Sequence, residues 1–256
     1  MSKYLNVKVS NGVMRIQIDR PDKRNALSRE MYTALTQALS RADNDDHVFA
    51  LLLTGNTECF CSGNDLADFL NQPEVDAESP MLKFVDTLPF VKKPIVAAVN
   101  GVAIGVGMTM LLHCDLVFAG ENAQFQMPFV NLGLVPEAGS TLLLPELIGY
   151  QKASELFLLG EVFGSERAYE FGFVNRVCAD DTTLQIALGA AKRLAAQPAT
   201  AVCMTKALMK GSRTDLLKSR IKEETRFFVS RLNSTETKEA FRSFMEKRNL
   251  DILKSD

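Results

Sequence analysis

Three short segments hold residue types that could stabilise charge or move a proton. The first is Phe60-Cys61-Ser62-Gly63-Asn64-Asp65-Leu66. A strand-like run ends there, Gly63 permits a tight turn, and a helix can begin at Asp65. Free N–H groups at such a start can bind an oxyanion. An ordinary turn capped by Asp65 would use the same residues. The second segment is Asn100-Gly101-Val102-Ala103-Ile104-Gly105-Val106-Gly107. Again an apolar strand runs into a glycine-rich turn and then a helix. The spacing is not G-x-G-x-x-G, and no Lys-Ser/Thr follows, so neither a dinucleotide fingerprint nor a Walker A loop is present. Glycine here serves close helix–strand packing as readily as it serves N–H donors. The third is Leu134-Val135-Pro136-Glu137-Ala138-Gly139-Ser140-Thr141. Proline and glutamate suit the first turn of a helix, where a carboxylate meets the positive end of the dipole. By pattern alone Glu137 is a helix-start residue, not a base.

The elements that must position these segments follow from periodicity. Residues 4–10 and 13–19 alternate and flank Asn11-Gly12, a hairpin signal. Ser28 can cap a helix whose Met31, Leu35 and Leu39 form an apolar stripe. His47–Thr54 and Ile95–Val99 read as buried strands. Short strands are expected near 115–119 and 173–178, and helices over about 80–91 and 106–113. Beyond Asp181 only helices are expected, roughly 182–196, 199–210, 214–232 and 235–249. The chain is therefore α/β, with a core over 1–198 and a helical region over 199–256 suited to oligomer contacts.

Composition excludes several classes. The chain has 256 residues, a formal net charge of −2 and no long basic run, so a nucleic-acid partner is not expected. Residues 95–120 are apolar but broken by Asn100, His113 and Asp115, which argues against a membrane span. Five cysteines and no apolar leader in residues 1–10 fit reduced thiols in a cytoplasmic setting. Cys59 and Cys61 are too close for zinc spacing, and only His47 and His113 could join them, so no metal site is expected.

In order along the chain, the segments resemble the crotonase (enoyl-CoA hydratase/isomerase) superfamily. The resemblance begins with Arg20-Pro21 and Asn25-Ala26-Leu27. It runs through Ser62-Gly63-Asn64-Asp65-Leu66, Pro94 to Gly101 and Gly105. It continues over Cys114-Asp115, Phe125, Pro128, Leu132-Gly133 and Pro136, and ends with Ala240-Phe241 and Phe244 to Arg248. Any one motif is weak; the ordered set is specific. The resemblance implies a crotonase-like spiral of ββα units with C-terminal helices that build a homotrimer or a dimer of trimers. It implies an acyl-CoA substrate, with coenzyme A part of that substrate and no separate cofactor. The backbone N–H groups of Asn64 and Val106 would form an oxyanion hole, on turns shaped by Gly63 and Gly105. Val106 stands where many relatives have glycine, which would narrow the pocket. Arg24 and Ala26 would meet the CoA head group, Ser62, Asp65 and Leu66 would line its path, and Phe244 and Lys247 would reach the adenine and a phosphate.

The reaction is the harder question. Hydratases of this family resemble one another in two glutamates, at positions matched here by Thr109 and Phe129. Neither residue does acid–base work near neutral pH. The Pro136-Glu137-Ala138-Gly139-Ser140 segment instead resembles the Δ3,Δ2-enoyl-CoA isomerase branch, which implies Glu137 as a single base. Phe129, Val106 and Leu134 would wall an apolar pocket around it, and Asn131 would either orient Glu137 or cap a loop. A hydratase, another crotonase-type lyase or hydrolase, and a non-catalytic acyl-CoA binder are the competing expectations.

Overall fold

Asn11 and Gly12 both take positive φ, 51° and 74°, as a two-residue hairpin turn requires. They join β1 (Leu5–Ser10) and β2 (Val13–Ile18) in antiparallel register from Ser10↔Val13 outward. This computed structural model describes residues 2–71 and 78–246. Ser28 caps α1 (Arg29–Asn44) by accepting from the Met31 N–H, and Met31, Leu35 and Leu39 are buried as their spacing predicts.

A ββα unit then repeats. Its first copy is β3 (Ala50–Thr54), β4 (Cys59–Cys61), then α2 (Leu66–Asn71) and α3 (Pro80–Thr87). The second is β5 (Ile95–Val99), β6 (Val102–Ile104) and α4 (Val106–Thr109), continued by a 3-10 turn to His113. The third is β7 (Leu116–Gly120), β8 (Gln124–Gln126), then α5 (Ser140–Ile148) and α6 (Tyr150–Leu159). β9 (Phe163–Gly164), α7 (Ser165–Glu170), β10 (Arg176–Cys178) and α8 (Thr183–Ala195) complete the core. The long strands form one sheet in the order β1-β2-β3-β5-β7-β10, parallel from β2 onward. The short ones form a second sheet, β4-β6-β8-β9. This is the expected crotonase-type α/β arrangement.

The strand period divides the large sheet. Leu51, Leu53, Ile95, Ala97 and Val99 face the main core with the α1 stripe. Leu52, Val96 and Ala98 face the other way, onto Ala187, Ala190 and Ala191 of α8. Parallel strands are buried on both faces, which is why they read as continuous apolar runs.

Several expectations need correction. The stretch 100–107 is not turn alone: Val102–Ile104 is β6, a strand too short to show a period. His47–Phe49 precedes β3 rather than opening it. Glu137 does not lie in a helix, because α5 begins only at Ser140. The expected helical region past residue 198 packs in part on the core. α9 (Ala199–Gly211) leaves Met204, Leu208 and Met209 exposed, but α10 (Thr214–Leu232) buries Leu217, Ile221, Glu224, Phe228 and Leu232 against the core. α11 (Thr235–Met245) follows it. Among the described residues no helix is long and apolar enough to cross a membrane, and no His/Cys/Asp/Glu group could hold a metal. All five cysteines are free thiols.

One glycine fixes how α4 meets the second sheet. A Cβ on Gly107 would stand 2.5 Å from the Cys61 carbonyl oxygen and 2.9 Å from its Cβ. Neither neighbour is a flexible tip. Gly107→Ala is therefore expected to cost about 1–3 kcal/mol, as overpacking does, read as a lower urea midpoint at unchanged m. A wild-type midpoint would show that α4 can move away.

Candidate active site

The loop before α1 is sewn to the end of β4 by a buried asparagine. Asn25 takes φ 58°, its Oδ1 accepts from the Arg20 N–H at 2.7 Å, and its Nδ2 donates to the Cys59 carbonyl at 2.7 Å and the Phe60 carbonyl at 3.2 Å. Arg20 donates to the Ala26 carbonyl at 3.0 Å and pairs with Asp65 at 2.8 Å. The Leu27 N–H donates to the Gly63 carbonyl, and the Asp65 N–H donates to the Leu27 carbonyl. These two bonds straddle Asn64 and leave its own N–H turned away, without a protein acceptor among the described residues.

Facing it is the Gly105 turn. Gly105 takes φ 56° and donates to the Gln126 carbonyl at 2.9 Å. Its carbonyl accepts from Met108 and Thr109, which starts α4 and leaves the Val106 N–H without an acceptor among the described residues. A Cβ on Gly63 would lie 3.1 Å from the Ile104 oxygen, and one on Gly105 would lie 4.0 Å from the Gly63 Cα. The two turns thus meet backbone to backbone. Two unpaired N–H groups on adjoining turns are what an oxyanion site needs.

A cavity of about 710 Å³ opens beside these turns. Arg24, Ala26, Ser62, Gly63, Asn64, Asp65, Leu66, Gly105, Phe129, Asn131 and Phe244 all line it, so eleven positions chosen from the sequence share one surface. Phe228, Leu232 and Phe241 from the C-terminal helices complete an apolar side that the sequence did not single out. Lys247 lies outside the described residues. One detail differs from expectation: the Val106 side chain is buried and does not line the cavity, so it does not narrow it. The Asp65 carboxylate lines the cavity and also anchors the loop, engaged by Arg20 and by the Ala67 N–H at 3.2 Å. Of its two expected roles Asn131 takes the loop cap, donating to the Leu159 carbonyl at 3.1 Å.

Glu137 is set back from this cavity, 3% exposed. It precedes two left-handed residues, Ala138 (φ 61°) and Gly139 (φ 72°), which turn the chain into α5. Its Oε1 accepts a short hydrogen bond from the Thr109 hydroxyl, and its Oε2 is buried with no protein partner. Among the described residues no cation pairs with it. Burial pushes its pKa up from 4.5 to about 7; the Thr109 bond opposes the rise and the Glu224 charge adds to it. Thr109 thereby links the Glu137 carboxyl to α4, the element that carries the Val106 N–H. His113, just beyond α4, donates from Nε2 to the Ala138 carbonyl at 2.7 Å. Burial first, and the Lys210 charge next, push its pKa down to about 3, so it is a neutral donor. Tyr32 is fully buried on α1, and its hydroxyl donates a short bond to the Asn64 side-chain oxygen. The Tyr32 pKa is raised by burial and then by the nearby Glu137 charge. Tyr32, His113 and Glu224 were not found from sequence. Tyr32 falls in the α1 apolar stripe, and the others lie 24 and 87 residues from Glu137 in the chain.

Comparison with known proteins accords with this geometry. The family described as enoyl-CoA hydratase/isomerase matches residues 8–253. The 1,2-epoxyphenylacetyl-CoA isomerase of Escherichia coli is 33% identical, covering 97% of this chain and 98% of that protein. The mitochondrial enoyl-CoA hydratase of Pongo abelii is 34% identical, covering 95% and 84%. The solved structure of OdaA from Pseudomonas aeruginosa superposes with a TM-score of 0.93 at 45% identity, covering 95% and 99%.

The raised pKa of Glu137 makes stability depend on pH. An acid whose folded pKa lies above its unfolded value favours folding while protonated. That contribution is complete below 4.5 and is lost as the pH rises through about 7. Glu137→Gln carries no charge at any pH. It is therefore expected to melt near wild type at pH 4.5 and to be more stable by about 2–3 kcal/mol at pH 8. A melting difference that does not change with pH would contradict the buried, unpaired carboxylate.

Proposed function

This chain belongs to the enoyl-CoA hydratase/isomerase family of the crotonase superfamily, and from that premise we propose that it is a Δ3,Δ2-enoyl-CoA isomerase with Glu137 as its single base. The observation that carries the reading is the Thr109–Glu137 pair. By resemblance, Thr109 and Phe129 occupy the places of the two hydratase glutamates. Asp65, beside Asn64, is held by Arg20, whereas Glu137 is buried without a paired cation among the described residues and is tied by Thr109 to α4, the helix that carries the Val106 N–H.

The reaction follows from these groups. The thioester oxygen of a 3-enoyl-CoA accepts from the Asn64 and Val106 N–H groups. Glu137 takes a proton from C2, and the C2–H electron pair moves into a dienolate held by those two donors. The same carboxyl returns the proton at C4, and the double bond comes to rest between C2 and C3. Nothing is oxidised or reduced, and no water is consumed. A carboxylate of pKa about 7 is basic enough to take the proton and acidic enough to give it back. The cavity along Arg24, Ala26, Ser62 and Leu66 takes the coenzyme A portion, with Phe244 at its mouth. The exposed Met204, Leu208 and Met209 of α9 suit a contact between copies in a homotrimer.

Wild type mixed with trans-3-hexenoyl-CoA should form the conjugated 2-enoyl thioester, at a rate that rises with pH through about 7 as Glu137 ionises. Glu137→Ala should lose at least about 10²–10⁴ in kcat with acyl-CoA affinity kept. Absence of conversion by wild type, or full activity in the variant, would overturn the reading. Faster water addition to crotonyl-CoA than isomerisation would favour a hydratase instead.

A further inference from the structure

Glu224 is a carboxylate in the middle of α10 that neither faces solvent nor touches the main cavity. It is 5% exposed. Its Oε2 accepts from the Gly139 N–H at 2.6 Å, and its Oε1 accepts from the Thr141 N–H at 2.9 Å and the Thr141 hydroxyl at 2.5 Å. Those amides belong to the start of α5, where N–H groups have no partner within the helix. A helix of this kind usually caps itself with a Ser, Thr, Asp or Asn side chain. Here it cannot. The cap position is Gly139, at φ 72°, and a Cβ there would stand 2.3 Å from the Leu217 Cδ1. Glu224 does from another helix what the cap residue cannot do.

The turn needs that help. Ala138 is left-handed although it bears a Cβ, a conformation that persists only where its surroundings impose it. His113 holds its carbonyl from one side, and Glu224 holds the next amide from the other. Glu137 is the residue immediately before. We propose that Glu224 is a positioning residue: it fixes the left-handed turn on which Glu137 sits, and so sets where the base carboxyl points. Glu224, Phe228 and Leu232 share one face of α10, and the latter two line the cavity. The helix that walls the substrate space is thus also the one that holds the base.

Charge gives a readout that a purely structural role would not move. The groups around Glu137 are Thr109 on α4, Tyr32 on α1, Cys61 on β4 and His113 beyond α4. All are neutral near pH 7: burial pushes Tyr32 well above its ordinary value, Cys61 up to about 12 and His113 down to about 3. The charge acting on Glu137 is that of Glu224, which itself faces Arg220 one turn back on α10. Removing it should make Glu137 more acidic.

The test uses the full chain and 13C-carboxyl-labelled glutamate, with the Glu137 signal assigned by its loss in Glu137→Gln. In Glu224→Gln the Glu137 titration should move to lower pH. kcat for 3-hexenoyl-CoA should fall by up to about 10²-fold, with the dissociation constant for a saturated acyl-CoA within about twofold of wild type. Glu224→Asp keeps the charge but shortens the reach, so it should restore the titration and not kcat. An unmoved titration and wild-type kcat in a folded Glu224→Gln would overturn the proposal. If that variant does not fold, Thr141→Val, which removes one donor to Glu224, should still lower kcat several-fold, and wild-type kcat would overturn it. The kcat arm rests on the isomerase reading and the titration does not. A protein that turns over no 3-enoyl-CoA yet shows the moved titration loses that reading and keeps this one.

Discussion

The Glu137 carboxyl lies in the interior with a hydroxyl on one oxygen and, among the described residues, no partner on the other and no compensating cation. Desolvation of a charge is among the costliest acts in a folded protein, and a group so placed usually takes up a proton instead. A pKa near 7 is the compromise reached here. Glu137 can stay because its turn is held from outside, by His113 on Ala138 and by Glu224 on Gly139 and Thr141. Without that clasp the left-handed Ala138-Gly139 pair could relax and carry the carboxyl toward water. The fold therefore spends stability at this point and recovers it elsewhere, as functional sites do.

The repeated ββα unit is what brings the remaining parts together. β3, β5 and β7 of the large sheet each hand the chain to a short strand of the second sheet. The turns after β4 and β6 consequently fall side by side, and glycine at 63, 105 and 107 lets their backbones touch. Asn25 and the Arg20–Asp65 pair fasten the loop that lines the outer cavity to the first of these turns. α10 closes the assembly, burying apolar residues against the core at four positions and a carboxylate at the fifth. The C-terminal helices belong to the site as much as to any contact between copies.

What was legible in the sequence was what local physics determines. Asn11-Gly12 announced its hairpin, Ser28 its cap, and the Val/Leu/Ile runs their buried strands. Strands β4, β6, β8 and β9 were not, since two or three residues display no period and their pairing comes from distant chain. Glu137 was misplaced for a related reason. Proline-glutamate is also the composition of a helix's first turn, and only the left-handed conformation at 138–139 moves the helix start to Ser140. The lining of the cavity was readable through resemblance, which carries over positions but not partners. So the Arg20 partner of Asp65 was not readable, and Val106 was expected in the pocket and faces the core. Thr109, Tyr32, His113 and Glu224 act through contacts that span 25 to 85 residues, too far for local periodicity to reveal.

The central claim is that one carboxyl moves one proton between two carbons of the acyl chain. The most direct measurement follows that proton. A 3-hexenoyl-CoA carrying deuterium at C2 is converted in ordinary water, and the C4 position of the product is read by mass spectrometry. Transfer by the buried Glu137 carboxyl predicts deuterium at C4 in early turnovers, before exchange with solvent removes it. Product whose C4 hydrogen comes wholly from water from the first turnover would contradict a single sheltered base.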